Sequence, residues 1–297
     1  MFWHIGLPKT GTTFQQTKVL PLLDRATVSL EDLRSNFGWI WEFNRPLETA
    51  LNSEPTQLRW LLSNLKNRWV PVGKNYSRAW PQAIVSMEGL VGASFNPLLN
   101  FQWSLDMISS IDEDPRVILS LREQGSWLHS IYDQLVWVEC RFNRPSTLSD
   151  FALGPNSLCP PGALDWSAIV RLLTDSLGRD RVKVLFFEEA NVDQSLWINR
   201  FVEALDAHLL ADPDVRRVDP KRQGRSTMQR RNTLLRRISH PFIWAQRESD
   251  LQGILDKHRR ATAGSNLRLS KDLGIDLSAL GYATETSSCG ERAGDLR

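Results

Sequence analysis

Lys9, Thr10, Gly11, Thr12 and Thr13 stand in one run, P-K-T-G-T-T from Pro8, directly behind the apolar stretch FWHIGL. Residues of these types at this spacing bind anions. A turn that joins a strand to a helix leaves backbone N–H groups unpaired and pointing outward. Gly6 and Gly11 permit close backbone approach, Lys9 brings a full positive charge, and Thr12 and Thr13 add hydroxyl donors. The chemistry such a run supports is the holding of a terminal phosphate-like group.

The spacing departs from the nucleoside-triphosphate loop G-x-x-x-x-G-K-[ST]. Gly6 and Gly11 fit that frame, but Thr12 occupies the lysine position and the lysine sits inside the loop as Lys9. Two readings of the run alone are a P-loop kinase or other nucleotide phosphotransferase and a non-catalytic nucleotide-binding protein. A kinase would need a magnesium-binding carboxylate at a strand end and a lysine beside the threonine pair.

Short apolar runs must position the loop. FWHIGL (Phe2 to Leu7), AIVSME (Ala83 to Glu88), RVILSLR (Arg116 to Arg122) and RVKVLFFEEA (Arg181 to Ala190) read as buried strands. Helical stretches alternate with them: Thr12 to Asp24, with Pro21 near its end; Gly125 to Phe142, where Trp127, Ile131, Leu135 and Val138 recur every three or four residues; and Asp193 to Leu209. The segment Asp165 to Asp180 reads as a helix with Asp165 as N-cap and Gly178 as stop. This rhythm predicts an α/β fold, a three-layer sandwich with a central parallel sheet, P-loop NTPase-like, with helical lid insertions. One domain is expected over 1–285. Within it, 30–80 reads as a Trp-rich helical insertion or acceptor lid, and 211–240 as a basic loop and helix. A flexible tail is expected over 286–297.

LPKTGTT resembles the 5′-phosphosulfate loop of sulfotransferases that use 3′-phosphoadenosine 5′-phosphosulfate (PAPS), which reads P-K-[ST]-G-T-T after the first strand; its place near Met1 suits small bacterial-type members. The resemblance implies that Pro8, Lys9, Thr10, Gly11, Thr12 and Thr13 bind the co-substrate. It implies a second anion site for the 3′-phosphate, made by an arginine ending a central strand and a serine eight residues on. Arg122 and Ser130 match, and Tyr132 fits the S-x-Y continuation. An arginine offers a bidentate, charge-assisted pair to phosphate, and a helix sets Ser130 about two turns in. The sequence departs from the commoner pattern at Glu123 and Gly125. A third segment, often R-K-G in this family, is similar to KRQGRS, where Arg222 and Gly224 match and Gln223 replaces the lysine.

Sulfuryl transfer resembles phosphoryl transfer, in which positioning and charge stabilisation supply most of the catalysis. The resemblance makes Lys9 the stabiliser of the leaving oxygen and assigns a general base to the end of the second strand. Glu88 stands there, and Ser86-Met87-Glu88 is similar to the S-S-E of bacterial-type members. Active sites of open parallel sheets lie at the carboxyl ends of the strands. Glu188 and Glu189 read as structural or helix-start residues, His129 as a packed or solvent-facing side chain, and His4 as a hydrogen-bonded core histidine.

The chain has 297 residues, 41% of them hydrophobic, enough for one sizeable core. With 36 basic and 34 acidic residues the net charge is +2, which gives no case for nucleic acid; anion preference must come from a local site. Three unpatterned cysteines and scattered histidines suggest no disulfide framework and no metal site, and fit a reducing, cytoplasmic setting. No signal peptide and no integral membrane segment is expected, with peripheral association left open. The expected acceptor is a small molecule or glycan, with the twelve tryptophans, above all Trp39 to Trp80, shaping its pocket. Composition leaves the oligomeric state undetermined.

Overall fold

The computed structural model describes residues 1–7, 9–40, 55–87, 90, 101–134, 147–153, 164–213 and 251–284. Four strands, β1 (Phe2–Gly6), β2 (Ile84–Ser86), β3 (Arg116–Leu121) and β4 (Val182–Phe186), form one sheet in the order β2-β1-β3-β4. Every pairing is parallel, with His4 opposite Ser86, Gly6 opposite Ser120 and Leu121 opposite Phe186. The chain leaves β1 for β2 on one side and returns to β3 on the other. The carboxyl end of β1 is therefore the switch point, where open α/β sheets bind ligands.

Alternation along β1 sends Trp3 and Ile5 to one face and Phe2 and His4 to the other. The first face carries the larger core, with Trp39, Trp69, Trp127 and Trp166 around Val85, Val117 and Leu119. It is covered by α2 (Leu30–Asn36), α3 (Pro55–Ala79), α4 (Phe101–Ile111), α5 (Gln124–Tyr132), α6 (Leu148–Leu153), α7 (Trp166–Leu177) and α10 (Leu251–Leu273). The second face packs Phe2, Ile84, Ile118 and Leu185 against Phe14, Trp197 and Phe201. Those side chains come from α1 (Thr12–Phe14) and α9 (Gln194–Ala204), while the single turn α8 (Glu189–Val192) leads from β4 into α9. The result is the expected three-layer α/β sandwich with a parallel sheet.

Some details differ from the sequence reading. The helix expected over Thr12 to Asp24 is not uniform: α1 widens into a π-turn over Gln15–Val19, then tightens into a 3-10 turn over Leu20–Leu22 around Pro21. β4 stops at Phe186, so Glu188 and Glu189 lead into α8. Helices α4 and α10 were not anticipated. α10 buries His258, Thr262, Ala263, Ser265 and Asn266 beside only Ile254 and Leu269, so it shows no apolar stripe. Asp165 caps α7 by accepting from the Ala168 amide, and Gly178 ends it at a φ of 91°, as expected.

Two tryptophans of the Trp-rich segment pack into the core. Trp39 is buried edge-to-face on Trp103, and Trp69 fills the space beside Gly38. Trp80 is exposed but sits at the turn feeding the amino end of β2, the edge of the sheet opposite the loop. Trp60 lies twenty residues earlier on α3, about 30 Å along the helix, and is also exposed. Among the described tryptophans of this segment, Trp39 and Trp69 thus serve the core and Trp60 and Trp80 are exposed. Cavities of about 260 and 390 Å³ near Ser77, Pro81 and Gln82 also lie on that amino edge, away from the loop after β1. Residues 214–250 and 286–297 lie outside the described residues.

Candidate functional site

The loop after β1 is held by its own chemistry. The Thr10 hydroxyl donates to the Leu7 carbonyl at 2.6 Å, which turns that side chain fully inward. Lys9 (φ 70°) and Gly11 (φ 83°) both adopt left-handed backbone, bracketing Thr10 in a tight concave turn. Gly11 sits against the rings of Phe187 and Trp197, and a Cβ there would lie 3.0 Å from each. Gly6 is more constrained still: a Cβ would stand 2.2 Å from the Thr12 methyl carbon. Thr12 is buried, whereas Lys9 and Thr13 are exposed. The run thus divides its labour, with Thr10 and Thr12 shaping the turn and Lys9 and Thr13 facing outward.

Beneath the loop, a polar row crosses three strands. His4 bonds Ser86 Oγ through Nδ1 at 2.7 Å and Ser120 Oγ through Nε2 at 3.3 Å. The Gln16 amide, turned toward β2 from the π-turn, donates to the Ser86 carbonyl and hydroxyl at 3.2 and 3.1 Å. Burial drives the His4 pKa down to about 3, and the neighbouring Gln15 side chain opposes this to a lesser degree. His4 is therefore a neutral, hydrogen-bonded core histidine, as expected. The Met87 amide donates to the His4 carbonyl at 3.1 Å, tying the end of β2 to β1 just before Glu88.

Arg122 lies at the end of β3, half-buried. Its Nη1 donates to the Lys9 carbonyl at 3.0 Å, and its guanidinium carbon stands 5.0 Å over the Phe187 ring. Nε is buried with no hydrogen-bond partner among the described residues. Burial lowers the pKa of Arg122, opposed by the field of Glu188 first, then Glu123; an arginine nonetheless stays charged. The Arg122 carbonyl accepts from Trp166 Nε1 at 2.8 Å, which fixes the turn from behind. Glu123 then caps α5, accepting from the Gly125 and Ser126 amides at 3.0 and 2.7 Å. A Cβ at Gly125 would lie 3.1 Å from that carboxylate. The two departures from the commoner pattern are thus one local device for starting the helix. Ser130 is half-buried on α5; Tyr132 is fully buried against Phe151 and belongs to the core.

Glu188 accepts from the Glu123 amide and from the Tyr282 hydroxyl, each at 3.0 Å, and burial raises its pKa. Glu189 pairs with Arg200. Both are structural, as read from the sequence. The Tyr282 contact had no sequence signal, since 94 positions separate it from Glu188.

The loop and Arg122 are brought together directly; Pro8, Glu88, Arg222 and Gly224 lie outside the described residues. Among the described residues no group of three or more His, Cys, Asp or Glu side chains is placed to hold a metal ion, and no helix is long and apolar enough to cross a membrane.

The chain matches no known family model and no curated protein sequence. Among solved structures it is similar to the crystal structure of a sulfotransferase from Alicyclobacillus acidocaldarius, with a TM-score of 0.52 and 15% identity over 94% of this chain and 98% of that one. At that identity the likeness concerns the fold, an α/β sandwich with a central parallel sheet.

Proposed function

We propose that this protein is a sulfotransferase that moves a sulfuryl group from PAPS to an acceptor hydroxyl, the acceptor being a small molecule or a glycan. The observation that carries this reading is the junction of Arg122 with the Lys9 carbonyl. It unites a left-handed anion turn and a strand-end arginine at the switch point of a parallel sheet. The residues suit a nucleotide with an anionic group at each end. Thr12 leaves no room for a Cβ at Gly6, the end of β1, and Arg122 keeps a buried donor, Nε, without an acceptor among the described residues. A buried unmet donor is costly, and an anion removes that cost.

When bound, PAPS supplies the activated sulfuryl group. In this reading Gly11, Thr12 and Thr13 hold the 5′ end through backbone amides and the Thr13 hydroxyl. Lys9 places its charge at the leaving oxygen. Arg122 and Ser130 hold the 3′-phosphate, and Arg222 and Gly224 cover it. Glu88 takes the acceptor proton, its strand end steadied by the Ser86–His4–Gln16 row beneath it.

The test is calorimetric titration with 3′-phosphoadenosine 5′-phosphate in the absence of metal, set against ADP and ATP with Mg²⁺. Tight, metal-independent binding of the 3′-phosphorylated ligand is the expected result. Preference for ATP with Mg²⁺ would replace this reading with that of a nucleotide phosphotransferase.

A further inference from the structure

The surroundings of Arg122 hold a group that the proposed chemistry does not use. Three segments distant in sequence meet behind the guanidinium: the β3–α5 turn at Glu123, the end of β4 at Phe187 and Glu188, and the segment after α10 at Tyr282. The two oxygens of Glu188 are divided between them, Oε1 accepting from the Glu123 amide and Oε2 from the Tyr282 hydroxyl. Tyr282 is 3% exposed and packs edge-to-face on Phe186 at 5.6 Å. The next residue is pinned as well, since Asn266 Nδ2 donates to the Ala283 carbonyl at 2.9 Å. Arg259 of α10 approaches Glu123 from the same side, at 3.6 Å. Among the described residues no ion pair within 4 Å joins Glu188 to Arg122, so the carboxylate offsets the buried positive charge without occupying the arginine's donors.

We propose that Tyr282 and Glu188 are positioning residues for Arg122, the Tyr282–Glu188–Glu123 chain of hydrogen bonds holding the guanidinium in the orientation that receives a 3′-phosphate. This rests on the sulfotransferase reading and extends it to the carboxyl-terminal segment. Glu123 directly follows Arg122, so a tether on its amide acts on the arginine's own backbone. The Phe187 ring lies beneath the guanidinium and the Lys9 carbonyl engages Nη1, so the tether on the Glu123 amide fixes the backbone from which those two contacts are reached.

The experiment titrates the full-length protein and its Tyr282→Phe variant with 3′-phosphoadenosine 5′-phosphate and with adenosine 5′-phosphate, alongside a thermal melt. Phenylalanine keeps the Phe186 contact and removes only the hydroxyl. Affinity for the 3′-phosphorylated ligand is expected to fall roughly tenfold, the scale of one hydrogen bond to a charged group, while affinity for the 5′-phosphate alone changes less than about twofold. Glu188→Gln provides a second reading, because an amide has one acceptor oxygen where the carboxylate uses two. It should show the same 3′-selective loss, and the double variant should be no worse than either single one. Equal loss for both ligands, no loss, or simple additivity would reduce Tyr282 to a packing residue and leave the proposed function standing. Failure of the unsubstituted protein to prefer the 3′-phosphorylated ligand would remove that function and this inference together.

Discussion

Arg122 at the end of β3 donates to the backbone carbonyl of Lys9 in the loop after β1, 3.0 Å away across 113 positions of sequence. One guanidinium thereby touches the turn proposed to hold the 5′ end and carries the charge proposed for the 3′-phosphate. Arg122→Ala should weaken binding of 3′-phosphoadenosine 5′-phosphate by about 2–3 kcal/mol, the range for a charge-assisted pair. The loss for its 3′-dephospho analogue should be smaller but measurable, because the loop also loses its tether. Calorimetry on both ligands checks this, and equal losses would take Arg122 out of the 3′ site.

Gly6 has no room for a side chain, with the Thr12 methyl carbon 2.2 Å from where a Cβ would stand. Gly6→Ala must displace Thr12 and with it the turn. A stability loss of about 1–3 kcal/mol, as for other overpacked sites, is expected in chemical denaturation. Nucleotide affinity should fall with it. An unchanged denaturation midpoint would mean that the loop sits farther from β1 than the structure has it.

His4 predicts a particular acid sensitivity. Its folded pKa is lowered to about 3 from an ordinary value of 6.5. Between those values the unfolded chain binds a proton that the folded one does not, so stability rises with pH across the window. The stabilisation is complete above about pH 6.5 and is lost as pH falls toward 3, at about 1.4 kcal/mol per pH unit. Urea midpoints measured from pH 7 to pH 4.5 should show that slope. His4→Gln should flatten it while lowering stability overall, since the Ser86 and Ser120 hydroxyls lose a shared partner.

Glu88→Gln should reduce turnover by two or more orders of magnitude, the scale of general-base catalysis. Affinity for 3′-phosphoadenosine 5′-phosphate should stay within about twofold, because a base acting on the acceptor contributes little to holding the nucleotide. Full activity in that variant, measured once an acceptor is in hand, would assign the base elsewhere.

Trp80 offers a control from the opposite edge of the sheet. It is exposed beside Pro81 and Gln82 at the amino end of β2. Trp80→Ala should leave nucleotide affinity and acceptor KM unchanged. A rise in acceptor KM would bring the acceptor to the amino edge.

What the sequence by itself determined is what local chemistry governs. The apolar runs around Trp3, Val85, Leu119 and Leu185 give buried strands because each is too hydrophobic to stand outside a sheet, and the alternation with helices requires a parallel one. The Asp165 cap and the Gly178 stop depend on neighbours within four residues, so they were legible. So was a tight turn behind β1, whose shape follows from Gly11 and from the Thr10 hydroxyl reaching Leu7 three residues back. The spacing of Phe101, Leu105, Ile108 and Ile111, every three or four residues, likewise marks α4 locally.

Only the tertiary structure decided which distant groups meet. Strand order β2-β1-β3-β4 is set by packing and puts Arg122 beside Lys9. The same packing sends Trp39 and Trp69 into the core and Trp80 to the far edge, although their side chains are chemically identical. α10 was illegible because it buries small and polar residues whose partners, such as Gln124 for Asn266, lie 142 positions away. Tyr282 carries no local mark at all; its place behind Arg122 exists because the segment after α10 folds back over the sheet end and brings its hydroxyl to Glu188.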